Sequence, residues 1–307
     1  MVETSIIIPF YNMGFYLREC LKSVFSQQHY RNFEIIIVDN ASEDGTKEWI
    51  RVHYPECRLI SNRQNLGFSK AVNQGISISK GEYILVLNAD VTLESRCLFH
   101  LNDAVKKNRN IGMAGGVILY PDKKTIYSCG LFLSKARRVY NRLEKKIYSE
   151  DEIGRIKLDC FWPSGACAIY RREMLEDIKI GEEYFDEDFF FLLEDFDVAW
   201  RAEKRGWRGV FCPDAIAYHH GRVTFNRKYR QYLSFRNRYL LLMKNENLNK
   251  IMEDWFWVFP YDFARFSYLL INNSLVLKAI KELIHLYPVM MNKREKLRKY
   301  RWRLFQQ

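Results

Sequence analysis

Four short apolar runs, at residues 6–10, 33–38, 58–60 and 83–87, alternate with helical patterns at 16–25, 46–53 and 69–77. This alternation constrains the fold more than any other feature, because it is the order expected of stacked βαβ units, which build a parallel sheet. The run at 84–87 is apolar at every position, as a strand covered on both faces requires. Each run ends abruptly in polar or Gly-rich text: Tyr11-Asn12, then residues 39–45, then residues 62–67, then Asn88-Ala89-Asp90. Parallel strands present their carboxyl ends on one edge, so these four segments are expected to converge on one crevice.

Asp90 is the first candidate for a functional acid. Taken alone, Asn88 and Asp90 could make a turn and cap a following helix. Four polar strand ends on one edge favour a ligand site instead. Asp39 closes the second run, where a carboxylate can accept hydrogen bonds from a nucleobase or a ribose hydroxyl. Ser42 and Asp44 beside it suit a turn and helix cap. No strand–helix junction carries GxGxxG or GxxxxGK[ST], so any phosphates must be held by other means. A divalent metal on Asp90 is the expected means.

After a helical pattern at 98–107 the text changes, with apolar stretches at 111–120, 126–133 and 166–170 joined by Gly and Pro turns. A mixed or antiparallel extension of the sheet is expected there. The charged segment 134–157 reads as a mobile surface loop, with a lid over substrate as the alternative. The most acidic text follows, at 184–197, and places Glu194, Asp195 and Asp197 at the start of a helix running to Arg205. Helix starts favour acids, yet three in four positions after an aromatic run exceeds what capping needs. A carboxylate held against apolar side chains can have its pKa raised enough to act as a general base, and one of these three is expected to do so. A strand at 209–212 then leads through Pro213 to His219 and His220, of which at most one faces the crevice.

At 307 residues, with 48% hydrophobic and 15% aromatic residues, the chain can bury a large core. Its net charge of +11 is concentrated: residues 292–303 hold seven basic residues (Lys293, Arg294, Lys296, Arg298, Lys299, Arg301, Arg303) against Glu295. Seven cysteines without a CxxC pair argue for a reducing compartment, with no disulfide framework and no structural zinc. The chain opens directly into a strand, and a cytoplasmic location is expected. The longest charge-free stretch near the C-terminus, 266–277, is shorter than the about 20 residues of a spanning helix. From residue 229 onward the text is helical and aromatic, with Val276, Ile280, Leu283, Ile284 and Tyr287 on one face. Trp-rich text followed by a basic tail suits a segment lying on an anionic membrane surface, on the inner face of the cell membrane.

Residues 6–12, 38–46, 62–68, 87–90 and 191–201 together resemble the family 2 glycosyltransferases with the GT-A fold. The resemblance runs in order over residues 4–225 and is most like the bacterial rhamnosyltransferases of O-antigen and related cell-surface polysaccharide synthesis. It implies a GT-A catalytic domain over 1–225, a mainly parallel α/β sheet flanked by helices, with a donor half at 1–90 and a metal and acceptor half at 91–225. Residues 226–307 would form a helical extension. The donor-binding set is then Pro9, Tyr11, Asp39, Asn40, Asn65, Gly67, Asn88 and Ala89, with Asp39 on the pyrimidine base. Asn88-Ala89-Asp90 matches the DxD motif, whose last acid binds Mg²⁺ or Mn²⁺. Because residue 88 is an amide, Asp90 would carry the metal more alone, with His219 to share the load. The motif carrying the catalytic base matches Glu194-Asp195; Asp195 is favoured, with Glu194 or Asp197 as alternatives. The implied reaction is inverting transfer of a sugar, best rhamnose from dTDP-rhamnose, to a saccharide or polyprenyl-linked acceptor. The alternatives are a UDP-sugar donor (hexosyl or galactofuranosyl), or a non-catalytic, basic nucleic-acid-binding α/β protein. Acids at the crevice edge and basic residues in the tail disfavour nucleic acid as a partner.

Overall fold

The computed structural model describes residues 2–156, 161–221 and 225–299. Its first half realises the alternation: β1 (Thr4–Phe10), α1 (Gly14–Phe25), β2 (Phe33–Asp39), α2 (Thr46–His53), β3 (Arg58–Ser61), α3 (Phe68–Ile78) and β4 (Tyr83–Leu87). These four strands pair in parallel in the order β3-β2-β1-β4. Successive strand residues feed two separate cores. Ile6, Ile8, Ile35, Ile37, Leu85 and Leu87 face α1 and α2, while Ile7, Ile36, Val38, Ile84 and Val86 face α3 on the other side. This is why the runs are apolar throughout rather than alternating.

The chain continues through β5 (Val91–Leu93), α4 (Cys97–Lys106), β6 (Ile111–Leu119), β7 (Ile126–Ser128), β8 (Leu131–Leu133), β9 (Val139–Asn141), α5 (Glu150–Gly154), β10 (Cys167–Arg171), α6 (Arg172–Ile178), α7 (Glu194–Lys204) and β11 (Arg208–His219). Strand β10 runs antiparallel between β4 and β6, β11 pairs parallel to β6, and β5 pairs antiparallel to β11. The sheet is therefore mixed beyond β4. Helix α4 packs with α1 and α2, and helices α6 and α7 with α3.

Three local expectations change. The apolar stretch 126–133 is two strands, with β8 leaving the sheet to form a ribbon with β9. Pro213 lies inside β11, which the expected strand at 209–212 does not anticipate; the register slips between Phe211 and Ile216 and the bulge absorbs it. The segment 134–157, of which residue 157 lies outside the described residues, is anchored rather than loose. Its Arg137 is buried, ion-paired with Glu246 and Asp254, and donates to the Lys250 carbonyl.

Beyond β11 come α8 (Arg227–Asn245), α9 (Leu248–Glu253), α10 (Trp255–Asn272) and α11 (Leu275–Lys299). Leu233, Leu240 and Leu241 of α8 and Val276, Ala279 and Leu283 of α11 share a core with Phe189, Phe196 and Trp200. The expected face of α11 is only partly right. Ile284 and Tyr287 are exposed, and Ile284 sits roughly 80° around the helix from Val276, beyond the edge of the stripe that meets α8. The tail also differs: Lys293 is ion-paired with Glu183, Asp186 and Asp188, and Arg294 donates to the Met243 carbonyl, so these two cations tether α11. Arg301 and Arg303 lie outside the described residues, as does Cys160; the other six cysteines are buried and free. Among the described residues no helix is long and apolar enough to cross a membrane.

Candidate active site

The carboxyl ends of β1, β2 and β4 and the start of α3 do meet in one cleft. It is lined by Pro9, Tyr11, Asn40, Asn65, Gly67, Asn88, Ala89 and Asp90, and closed by Phe190, Phe191 and Phe225. The loops after β1 and β2 are locked together: Asn12 N–H donates to Ser42 Oγ (2.9 Å), Glu43 N–H to Asn12 Oδ1 (2.9 Å) and Gly14 N–H to Asp44 Oδ2 (3.0 Å). Asn65 Oδ1 accepts from Gly67 N–H, and the Gly67 carbonyl accepts from Asn40 Nδ2. Gly67 has φ +85°, and a Cβ there would lie 2.5 Å from the Phe190 ring, so only glycine lets these segments close. Phe68 N–H donates to the Phe190 carbonyl at 2.6 Å across the same contact.

Asp39 takes a different place from its neighbour. It is buried at the end of β2 and its Oδ1 accepts from Ser42 N–H at 2.8 Å, while Asn40 supplies the cleft wall.

Asn88-Ala89-Asp90 is the turn that joins β4 to β5. Pairing of β5 with β11 sets Val91 opposite His219, and this register brings the imidazole Nε2 within 3.1 Å of Asp90 Oδ1. His220 projects the other way: its ring lies 5.0 Å from Tyr16, and its backbone N–H donates to the Asp90 carbonyl. Among the described residues no three His, Cys, Asp or Glu side chains gather as a metal-holding set. Asp90 and His219 offer one oxygen and one nitrogen, and 3.1 Å between them is close to the roughly 3 Å that separates neighbouring ligands of an octahedral cation. His219 Nδ1 is buried without a hydrogen-bond partner. These donors fit a divalent ion that takes its remaining ligands from a bound diphosphate and water.

The three acids at the start of α7 part company. Asp195 is half-buried; its Oδ2 accepts from Gly165 N–H (2.8 Å) and its Oδ1 from Phe196 N–H (2.7 Å). Burial raises its pKa, and those two N–H donors oppose the rise. Glu194 is buried with Oε2 unpartnered, and burial, then the Asp195 charge, pushes its carboxyl well above the usual range. Asp197 is fully buried and bonded to Arg201 (2.9 Å), Lys244 (2.9 Å) and Asn245 (2.6 Å), which commits both its oxygens to the fold. As a candidate base it is displaced by this pairing.

Two features escaped the sequence. Tyr127 lies edge-on to His219, with ring centroids 4.4 Å apart, and its phenol pKa is raised by burial and then by Asp195 and Asp90. Its ring therefore touches the imidazole and lies within electrostatic reach of both acids. Asn237 of α8 donates to the carbonyls of Phe189, Phe191 and Leu192, within a loop where Phe190, Leu192 and Leu193 all have positive φ. Neither an isolated tyrosine nor a helical asparagine gives a signal in the chain.

Comparison with known proteins fits this arrangement. The family model described as glycosyl transferase family 2 matches residues 5–179. An N-acetylglucosaminyl-diphospho-decaprenol L-rhamnosyltransferase of Mycobacterium tuberculosis is 26% identical over 292 residues, covering 86% of this chain and 92% of the relative. A mannosyltransferase from Pyrobaculum calidifontis, solved with GDP-Man and Mn²⁺, superposes with a TM-score of 0.55 at 18% identity, over 96% of this chain and 84% of its own. GalNAc-T7, solved with UDP, GalNAc and Mn²⁺, gives 0.60 at 15% identity over 80% and 48%.

Proposed function

The chain belongs to glycosyl transferase family 2 and has the GT-A fold, and from that premise we propose that it is an inverting, metal-dependent transferase of cell-surface polysaccharide synthesis. Its donor is a nucleotide diphosphate sugar, best dTDP-rhamnose, and its acceptor a saccharide or polyprenyl-linked saccharide. The observation that carries this reading is the cleft of strand ends with the Asp90–His219 pair at its wall, and Asp195 within electrostatic reach of the Tyr127 ring that touches His219. The rhamnosyl choice draws on the mycobacterial relative, named for a rhamnosyl transfer to a diphospho-decaprenol.

In this reading Asp39 reads the pyrimidine base through the oxygen not taken by Ser42 N–H, Asn40, Asn65 and Gly67 hold the nucleoside against Tyr11 and Pro9, and Asn88 and Ala89 flank the diphosphate. Asp195, its orientation fixed by the Gly165 and Phe196 N–H groups, removes the proton from the acceptor hydroxyl. The oxygen attacks the anomeric carbon from the face opposite the nucleotide, and the nucleoside diphosphate leaves with the bonding pair. A divalent cation held by Asp90 and His219 would supply positive charge to the departing diphosphate. Glu194 lies beside Asp195 with its pKa raised by burial and by the Asp195 charge, and Asp197 holds α7 to α8.

Thermal-shift screening of nucleotide sugars with Mg²⁺ or Mn²⁺ tests the donor. dTDP-rhamnose is expected to raise the midpoint most, and a larger rise with a UDP-sugar would replace rhamnose. We further propose that the protein works at the inner membrane surface. The support is the first half of α10, where Trp255, Phe256, Trp257, Phe259 and Phe263 are all exposed, and where Val258 and Asp262 share a hollow with Arg294 and Arg298 of α11. Binding to phosphatidylglycerol vesicles at low salt should vanish when Trp255, Phe256 and Trp257 become serine; retained binding would remove the idea.

A further inference from the structure

A second cavity, of about 600 Å³, opens between α8, α10 and the β8–β9 ribbon, on the far side of the 190–193 loop from the donor cleft. Phe190 and Phe191 line the donor cleft, while Leu192 and Leu193, immediately before Glu194, line this one. Its size suits a small ligand. Six arginines surround it and no acid does. Two are neutralised: Arg137 by Glu246 and Asp254, and Arg238 by Asp262. Arg138, Arg227, Arg230 and Arg265 have no carboxylate within ion-pair distance among the described residues. Arg265 is half-buried, with Ser234 Oγ at 3.0 Å, and burial lowers its pKa. Four guanidinium groups without an ion-paired carboxylate converge on one hollow, and a multivalent anion could accept hydrogen bonds from several of them at once. The rest of the wall mixes Gln231, Ser234, Tyr261 and Tyr268 with the apolar Val139, Leu241 and Leu269.

We propose that this cavity seats the diphosphate of a lipid-linked acceptor, with Arg138, Arg227, Arg230 and Arg265 gripping its two phosphates and the first prenyl units packing on Leu241 and Leu269. The inference rests on the transferase reading and deepens it by assigning a seat to the diphosphate of a polyprenyl-linked acceptor. The sugar attached to such a diphosphate would lie over Leu192 and Leu193, beside Asp195, with the donor across the loop. The two substrates would thus reach the base from opposite sides of one four-residue segment.

The test uses the full chain and three probes: farnesyl diphosphate, inorganic pyrophosphate and phosphatidylglycerol vesicles. Arg227 and Arg230 are exposed, so the double variant Arg227→Gln/Arg230→Gln should fold. Farnesyl diphosphate is expected to bind the wild type more tightly than pyrophosphate does, and the double variant about a hundredfold more weakly, a factor of ten for each guanidinium removed. Arg265→Gln should weaken it alone, and nucleotide-sugar affinity should hold in both. Equal farnesyl diphosphate affinity in wild type and variants overturns the proposal. So does pyrophosphate binding as tightly as farnesyl diphosphate, which would make this an anion site without a lipid. Loss of vesicle binding with farnesyl diphosphate affinity intact would assign the arginines to the membrane surface instead, and also overturns it. A wild type that binds nucleotide sugar but not farnesyl diphosphate refutes the cavity and leaves the transferase reading standing. Arginine-dependent farnesyl diphosphate binding without nucleotide-sugar binding refutes the donor reading alone.

Discussion

Replacing Asn237 by leucine should disable the enzyme from a helix that does not line the donor cleft. The loop before Asp195 holds Phe190, Leu192 and Leu193 at φ of 62°, 76° and 71°. A left-handed non-glycine residue costs about 1 kcal/mol, so the loop carries about 3 kcal/mol of backbone strain. What holds it is the Asn237 amide, with its bonds of 2.8 to 2.9 Å to three loop carbonyls, helped by Arg236 Nη2 on the Asp188 carbonyl and by Phe68 N–H on that of Phe190. Two amide hydrogens shared among three carbonyls contribute about 2 kcal/mol, and leucine of similar size supplies none of it. A loss of that size shifts the equilibrium between competent and open loop about 30-fold toward the open form, and turnover falls by up to that factor. Hydrogen exchange should report the same opening: the Phe68 amide, bonded to the Phe190 carbonyl, should exchange faster by a similar factor. Wild-type turnover together with unchanged exchange over residues 188–193 would refute the reasoning, because the strained loop would then be holding itself.

Asp195→Asn should leave donor affinity in place and lower turnover about 10²- to 10⁴-fold, the range for loss of a general base; near-normal turnover would eliminate Asp195. Asp90→Ala should abolish the gain in donor affinity on adding Mg²⁺ or Mn²⁺ in calorimetry, and His219→Ala should reduce it; the full gain retained in Asp90→Ala would dismiss the site. Gly67→Ala forces a Cβ against Phe190 at a φ of +85°, so the donor KM should rise and the melting midpoint fall, and no change in either would show that the two loops need not touch. Glu194 has its folded-state pKa raised by burial and by Asp195, so the stability it contributes is full below the ordinary glutamate range and is lost as pH rises through the raised value. Glu194→Gln should flatten that decline in denaturant unfolding, and an unaltered pH profile would count against the raised value. The same sign applied to Asp195 places the acid limb of kcat/KM above the usual aspartate range, activity falling as pH drops through it.

The sequence by itself determined the βαβ half of the fold and the cleft wall, because strand runs such as 6–10 and 84–87 carry their own burial pattern and a parallel sheet must bring its strand ends to one edge. It singled out Asp90 for the same reason, since that residue sits where a run stops, while Asn65 and Gly67 came from the family resemblance. It could not separate Asp197 from Asp195, nor His219 from His220. Those choices turned on partners far away along the chain: Lys244 and Asn245 reach back to take up Asp197, and the register of β5 on β11 carries His219 to Asp90. The acidic run at 184–197 read as one cluster, and the tertiary structure divided it. Asp186 and Asp197 share the buried Lys244, and Glu194 and Asp195 have no cation within ion-pair distance among the described residues. Periodicity records which face of an element is buried. What a buried charge is paired with is decided only when distant elements pack, and in this protein that pairing separates the acid that builds the fold from the acid beside the cleft.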